Sequence, residues 1–372
     1  MSQTARRAAP GNAAPLDTAP ATLEQRIERQ AYALGFDLVG IVQLGTAETA
    51  RHFDAWIAGG RHGDMGYMAR DPGLRHDTTR PHPGAVSAIV VAMDYGGKQP
   101  AGPVARYARG EDYHDVMKSR LQALHAWLSE AAGAPVNGRA YVDTAPILER
   151  DLARRAGLGW FGKNTNLINP SRGSYFFLGS LFVALELVPS APFAGDKCGR
   201  CTRCLTACPT QALVAPHELD ATRCISYLTI ENRGAIPEAL REQVGSWLYG
   251  CDICQEVCPW NVKFAKALPH DSPYMPREAL GDKDARALAR DLLAMSPGDF
   301  AESFRRSPMK RAKLAGLKRN AAVVLGNVGT ADDVDALTRA LDDAEPVVHE
   351  HAAWAIARIG DRTPQPHRHD LP

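Results

Sequence analysis

All eight cysteines of the chain fall between Cys198 and Cys258, in two runs with Cys224 between them. Cys198, Cys201, Cys204 and Cys208 are separated by two, two and three residues, and Pro209 follows the last. This is the ligand spacing of a bacterial ferredoxin, where the fourth thiolate of a run reaches the neighbouring cubane. Cys251, Cys254 and Cys258-Pro259 form a second run that is one close ligand short, and Cys224 can supply it from a distance. Crossing the runs in the ferredoxin manner gives Cys198, Cys201, Cys204 and Cys258 to one 4Fe–4S cluster. Cys208, Cys224, Cys251 and Cys254 take a second, and no thiol is left over. Zinc ligands favour separated C-x2-C knuckles, and a disulfide framework belongs to a small secreted chain. Two clusters relay electrons but do not define a reaction.

Asp143 is the second candidate. It stands in Tyr141-Val-Asp-Thr-Ala-Pro146, where a strand gives way to a helix. A carboxylate there either caps the helix, with proline in its first turn, or lines a ligand crevice at the strand end. The residues alone leave both open. Gly157-x-Gly159-x-x-Gly162 matches a dinucleotide fingerprint and, with Lys163, nearly a P-loop. It follows a helix rather than a strand, and Asn164 replaces the Mg²⁺-binding hydroxyl, so a nucleotide site is not expected. A Gly-rich loop lying against a large cofactor remains open.

The net charge is only +1, yet residues 305–319 hold Arg305, Arg306, Lys310, Arg311, Lys313, Lys318 and Arg319 and no acid. Such a block either attracts a phosphate backbone, without reading bases, or forms a solvated helix face.

The elements that must position these residues are legible in outline. Thr22 to Gln25 fits a capping box before a helix that Gly35 ends. Strands are expected over 36–42, 85–95, ending at 140–142, and over 174–187 with a possible bulge at Gly179. A helix carries Val116, Leu121, Leu124 and Leu128 on one face, and another runs over 146–155. This alternation predicts an α/β domain over 21–190. The cysteine region, 191–270, is a ferredoxin-like two-cluster domain. Residues 271–362 turn helical, and RNAAVVLGNVG and EHAAWAIARIG echo one another, which predicts a HEAT-like unit. Residues 1–20 and 363–372 read as tails. Arg6-Arg7 lacks the apolar region of an export signal, and His367 and His369 read as tail rather than metal ligands. No apolar run is long enough to span a membrane, so a cytoplasmic monomer is expected.

Taken together these strings resemble epoxyqueuosine reductase, a tRNA-modifying family. The resemblance covers about residues 20–360. It is carried by RYARGEDYH (106–114), DTAPILERDLARRAGLGWFGKNTNLI (143–168), CGRCTRCLTACPTQAL (198–213), CDICQEVCPWN (251–261) and LKRNAAVVLGN (317–327). It implies a cobalamin, cob(II)alamin at rest, between the α/β domain and the clusters. Composition and spacing do not show this cofactor: Asp112-Tyr-His114 comes nearest to a cobalamin signature, but Met117 stands at its glycine position. The resemblance implies that electrons pass through both clusters, that reduced cobalt attacks the epoxide carbon, and that Asp143 donates the proton to the leaving oxygen. It further implies Tyr107, Asp143, Lys163 and Asn164 as cobalamin-pocket residues, the basic block as tRNA contacts, and a separate electron donor. The alternatives are a reductive dehalogenase-like enzyme acting on a small molecule and a non-catalytic electron carrier.

Overall fold

The computed structural model describes residues 21–362; the expected tails, with Arg6, Arg7, His367 and His369, lie outside the described residues. The first helix, Leu23–Ala33, begins at the expected capping box: Thr22 Oγ1 accepts from Gln25 N, and Gln25 Oε1 from Thr22 N. Strands β1 (Leu38–Gln43), β2 (Ser87–Asp94) and β3 (Gly138–Tyr141) follow. After a short hairpin of β4 (Trp160–Phe161) and β5 (Leu167–Ile168) comes β6 (Phe176–Val183). The main sheet has the order β1-β2-β6-β3, and each pairing is antiparallel. Alternation of strands and helices located the elements but not their direction, which depends on the edge to which each connection returns.

The period of two along β2 divides the interior. Ile89, Val91 and Met93 face Ile27, Ala31 and the helix Tyr113–Ala131 through Met117, Leu121, Leu124 and Leu128. Ala88, Val90 and Ala92 face Leu152, Ala153 and Leu158. Both faces of the sheet are therefore covered. Gly179 is not a bulge: it pairs with Val91 in unbroken register. A Cβ there would lie 3.1 Å from Leu121 and Met117, so the glycine admits the covering helix.

The C-terminal part is helical, with Ala285–Ala294, Lys313–Val328, Val334–Ala340 and Pro346–Arg362 as its main elements. The echoing strings lie in two of these helices, and their equivalent Ala321 and Ala352 are both fully buried. A Cβ on Gly326 would meet the Trp354 ring at 2.3 Å, which marks their close approach. This core continues into Val104, Ala108, Ile230, Leu248 and Tyr249, so the helices share their interior with the preceding region. No helix among the described residues is long and apolar enough to cross a membrane.

His351 pins that junction. Its Nδ1 donates to Val347 O at 2.7 Å and its Nε2 accepts from Ile236 N at 3.1 Å, which fixes the neutral tautomer. Burial, then the nearby Arg241 charge, pulls its pKa down from 6.5 to about 4. Its contribution to stability is whole above about pH 6.5 and is lost as the pH falls towards about 4, on the order of 3 kcal/mol in all. Thermal unfolding between pH 8 and pH 5 should show a larger drop in midpoint for the native chain than for His351→Gln, although the variant starts lower.

Candidate functional site

The cysteines lie close together in the structure. Cys198, Cys201, Cys204 and Cys258 line one cavity of about 400 Å³, with Lys163, Asn164, Ile168 and Trp260 in its wall. That space far exceeds a single tetrahedral ion with Zn–S bonds of about 2.3 Å. No three His, Cys, Asp or Glu side chains among the described residues converge on a single-ion position. The Cys254 thiol is pushed up by burial first and then by the charges of Cys224 and Asp252, with Cys204 and Cys208 also near. Cys251 is raised in the same way, by burial and then by Cys254 and Cys224. A site that crowds thiolates fits a cationic iron cluster, which relieves their repulsion.

The Gly-rich loop explains how the sheet region meets both sets. Gly157 takes φ +82° at the end of the helix Glu149–Arg155, and Gly159 closes against Ile168 O of its own hairpin. These glycines serve the turn and the hairpin. The residues after them reach the cysteines. Lys163 Nζ donates to Gly199 O at 2.6 Å and Cys201 O at 3.0 Å. Its ammonium thus holds the loop around Cys201. Asn164 Nδ2 donates to Cys254 O at 3.3 Å, and Asn166 Nδ2 lies 4.0 Å from Cys254 Sγ.

Asp143 follows β3 and does not cap a helix. It adopts φ 56°, and the next helix begins only at Glu149, without a side-chain cap. Its amide instead donates to Glu149 Oε1 at 2.7 Å. The Asp143 side chain is 62% exposed, yet protein surrounds it on most sides, so it forms the floor of an open crevice. Tyr113 OH donates to its Oδ2 at 2.9 Å, and His114 Nε2 lies 3.4 Å from the same atom. Burial opposes the charge, but the bonds from His114 and Tyr113 and the histidine's charge outweigh it and hold the carboxyl below the ordinary range. Burial also opposes an imidazolium at His114, but hydrogen bonds to Asp112 and Asp143 prevail and raise it to about 9. Glu149, desolvated and facing Asp143, is pushed up to about 8. Arg150 donates to Thr165 O, tying this helix to the loop that touches Cys254.

Tyr107 is half-buried between these groups, with Tyr113 and Tyr249 rings 6.4 and 6.2 Å away. Gly250, at φ +67°, admits it: a Cβ there would stand 3.3 Å from its ring. Asp112, Tyr113, His114, Glu149 and Arg150 were missed as site residues from sequence. The signal available was position, since all lie in the strings 106–114 and 143–168.

Arg106 joins the two sides. It is 5% exposed and donates to Asp252 Oδ2 at 2.9 Å and Glu256 Oε1 at 2.8 Å, over the Tyr175 ring. Asp252 lies between Cys251 and Cys254, so this pair fixes their loop against the sheet region.

The basic block divides. Arg319 is 1% exposed and donates to Leu228 O, Asn232 O and Gly234 O, while Asn320 bonds Thr229 O and Leu248 O. Arg319 therefore docks its helix and is out of reach of any nucleic acid, which corrects the expectation for that residue. Lys318 pairs with Asp343, Arg306 with Asp115, and Arg311 with Glu231. Arg305, Lys310 and Lys313 are exposed, without a side-chain ion pair among the described residues.

Comparison with known proteins bears on these features. The family described as "4Fe-4S double cluster binding domain" matches residues 197–261, and "Epoxyqueuosine reductase QueG, DUF1730" matches residues 75–144. The epoxyqueuosine reductase of Xanthomonas campestris is 42% identical over 353 residues, covering 92% of this chain and 97% of its own. That of Escherichia coli is 40% identical, covering 91% and 90%. A crystal structure of epoxyqueuosine reductase with an epoxyqueuosine-modified tRNA-Tyr stem loop superposes with a TM-score of 0.81. It shares 31% identity and covers 91% of this chain and 90% of that one.

Removing the Arg106 side chain leaves Asp252 buried with only the residue-106 amide as its hydrogen-bond partner and without its guanidinium. Arg106→Met should cost about 3–5 kcal/mol, read as a lower urea midpoint of the cluster-loaded protein. Adding Asp252→Leu should restore part of it.

Proposed function

The chain belongs to the epoxyqueuosine reductase family, and from that premise we propose that it reduces the epoxide of epoxyqueuosine at the wobble position of the tRNA anticodon, giving the alkene of queuosine. The observation that carries this reading is the chain of contacts from Asp143 to the cysteine region: its amide donates to Glu149, the neighbouring Arg150 donates to Thr165 O, and Asn164 beside that residue donates to Cys254 O.

Cobalamin is the cofactor assigned to the crevice. The residues fit a large bound group: Asp143 and Arg150 stay open to water among dense surroundings, and His114 Nε2 is buried without a well-formed hydrogen bond. Tyr107, Asp143 and Asn164 would hold it. When bound, it supplies a reducible cobalt that acts as a nucleophile towards the epoxide carbon. The chain itself does the rest. The two cysteine sets carry two 4Fe–4S clusters, with ligands crossed between the runs. Asp143 delivers protons to the epoxide oxygen as it leaves, and Tyr113 OH orients the carboxylate. A general acid so placed contributes ~10²–10⁴-fold, and the base must leave its stack to reach it.

Arg305, Lys310 and Lys313, with Arg306, Arg311 and Lys318 behind them, are assigned to the tRNA backbone on the HEAT-like helices. A tRNA substrate is consistent with a cytoplasmic enzyme, working as a monomer with a separate electron donor.

Nucleosides from a strain lacking the gene should contain epoxyqueuosine in place of queuosine. The native chain should restore queuosine and Asp143→Asn should not, although it retains iron and cofactor. Queuosine unchanged in the deletion, with no second reductase present, would reject the function. The crossed ligation has its own test in paired cysteine changes. Cys201→Ala with Cys258→Ala should remove about half of the bound iron, because both serve one cluster. Cys201→Ala with Cys208→Ala should remove nearly all, because they serve different clusters, and the reverse ranking would show uncrossed runs.

A further inference from the structure

Reduction of an epoxide to an alkene consumes two electrons and two protons: both C–O bonds break, a C=C bond forms, and the oxygen leaves as water. The electrons are those of the proposed reductase reaction, on which this inference rests. The protons need their own source, because one carboxyl carries one proton and Asp143 is held ionised. The side chain beside it is built to carry the other. His114 Nδ1 lies 2.6 Å from Asp112 Oδ1, which also accepts from the His114 amide at 3.0 Å. The imidazole is stacked on Tyr113 at 4.1 Å, and Tyr113 on Phe177 at 4.3 Å, so the ring is fixed from below. Its Nε2 is left facing Asp143 Oδ2 at 3.4 Å and has no other partner. Such bonds are often long before substrate binds and tighten afterwards.

We propose that His114, oriented by Asp112, is the relay that reprotonates Asp143 during turnover, so that one carboxyl serves both proton deliveries. The imidazolium passes its Nε2 proton to Asp143 Oδ2, and Asp143 passes it to the opening epoxide oxygen. The imidazole regains a proton from water in the crevice, and the same route brings the second proton to the departing hydroxyl, which leaves as water. Asp112 remains a carboxylate and keeps the Nδ1–H in place. The groups facing this pair allow it. Tyr113 donates to Asp143, Arg311 lies close enough to stabilise its charge, and Arg306 does so for Asp112. Glu149, desolvated and facing Asp143, holds its own proton up to about pH 8. His114 is a positioning and relay residue, whereas Asp143 meets the substrate.

The test is single-turnover reduction of an epoxyqueuosine-bearing tRNA stem loop by pre-reduced holoenzyme, from about pH 6 to pH 10. The native rate should hold through neutral pH and fall near pH 9. His114→Gln, with iron and cofactor content intact, should be ~10²-fold slower at pH 8 and recover towards acid pH, where water can reload Asp143. Loss by the same factor at every pH, or an unchanged profile, would overturn the relay. A second readout needs no turnover. In ¹³C/¹⁵N-histidine spectra, assigned by comparison with His114→Gln, the His114 titration should fall clearly in Asp112→Asn, and an unmoved titration would also overturn it. A native enzyme that fails to convert the stem loop removes the reductase function and the relay with it. Native conversion with an unaltered His114→Gln profile removes the relay alone.

Discussion

The Arg106 guanidinium is the contact on which the site's geometry rests. It is buried against Asp252 and Glu256, and Asp252 sits between two cysteines of the second set. A buried ion pair gains little net stability, since desolvation offsets its attraction, but it tolerates few alternative arrangements. Arg106 also opens the segment that ends in Asp112, Tyr113 and His114, so one short stretch of chain anchors the cysteine loop and carries the groups around Asp143. Arg150, bonded to Thr165, and Asn164, bonded to Cys254 O, close the remaining side. The distance between proton source and electron source thus depends on a few polar contacts between segments remote in sequence.

Around Asp143 the usual effect of burial on a carboxyl is inverted. A carboxyl acting as a proton donor is ordinarily held neutral by burial. Here the hydrogen bond from Tyr113 and the His114 charge 3.4 Å away hold the Asp143 carboxyl below the ordinary range, while its carboxylate neighbours raise His114. Glu149, which accepts from the Asp143 amide, is the carboxyl that desolvation keeps neutral to about pH 8. Asp143, His114 and Glu149 thus shift one another, and their protonation is shared among them.

Some of this was readable from the sequence because the signal was local. Ligand spacing grouped the cysteines, the capping box at Thr22 set the first helix, and the unbroken apolar run over 85–95 marked a buried strand. Other features depended on partners far along the chain. Arg319 belongs to a block of like charge, and its sequence neighbours gave no hint that the carbonyls of Leu228, Asn232 and Gly234 converge on it. Lys163 stood in a glycine-rich string suited to a cofactor, and its ammonium holds the loop around Cys201. The sheet's antiparallel order was likewise hidden, because strand direction depends on how connections return.

By itself, then, the sequence determined the chemistry available: eight thiolates spaced for two clusters, an aspartate at the end of a strand, and a surplus of positive charge near the C-terminus. Residue type and short-range spacing suffice for that, since thiolate ligation follows from a few bonds of backbone. The tertiary structure decided which groups act together. It put His114 beside Asp143, took Arg319 out of the basic surface, and tied the loop between Cys251 and Cys254 to Arg106. Those outcomes follow from burial and from hydrogen-bond partners brought together across the chain, and both exist only once the chain has folded.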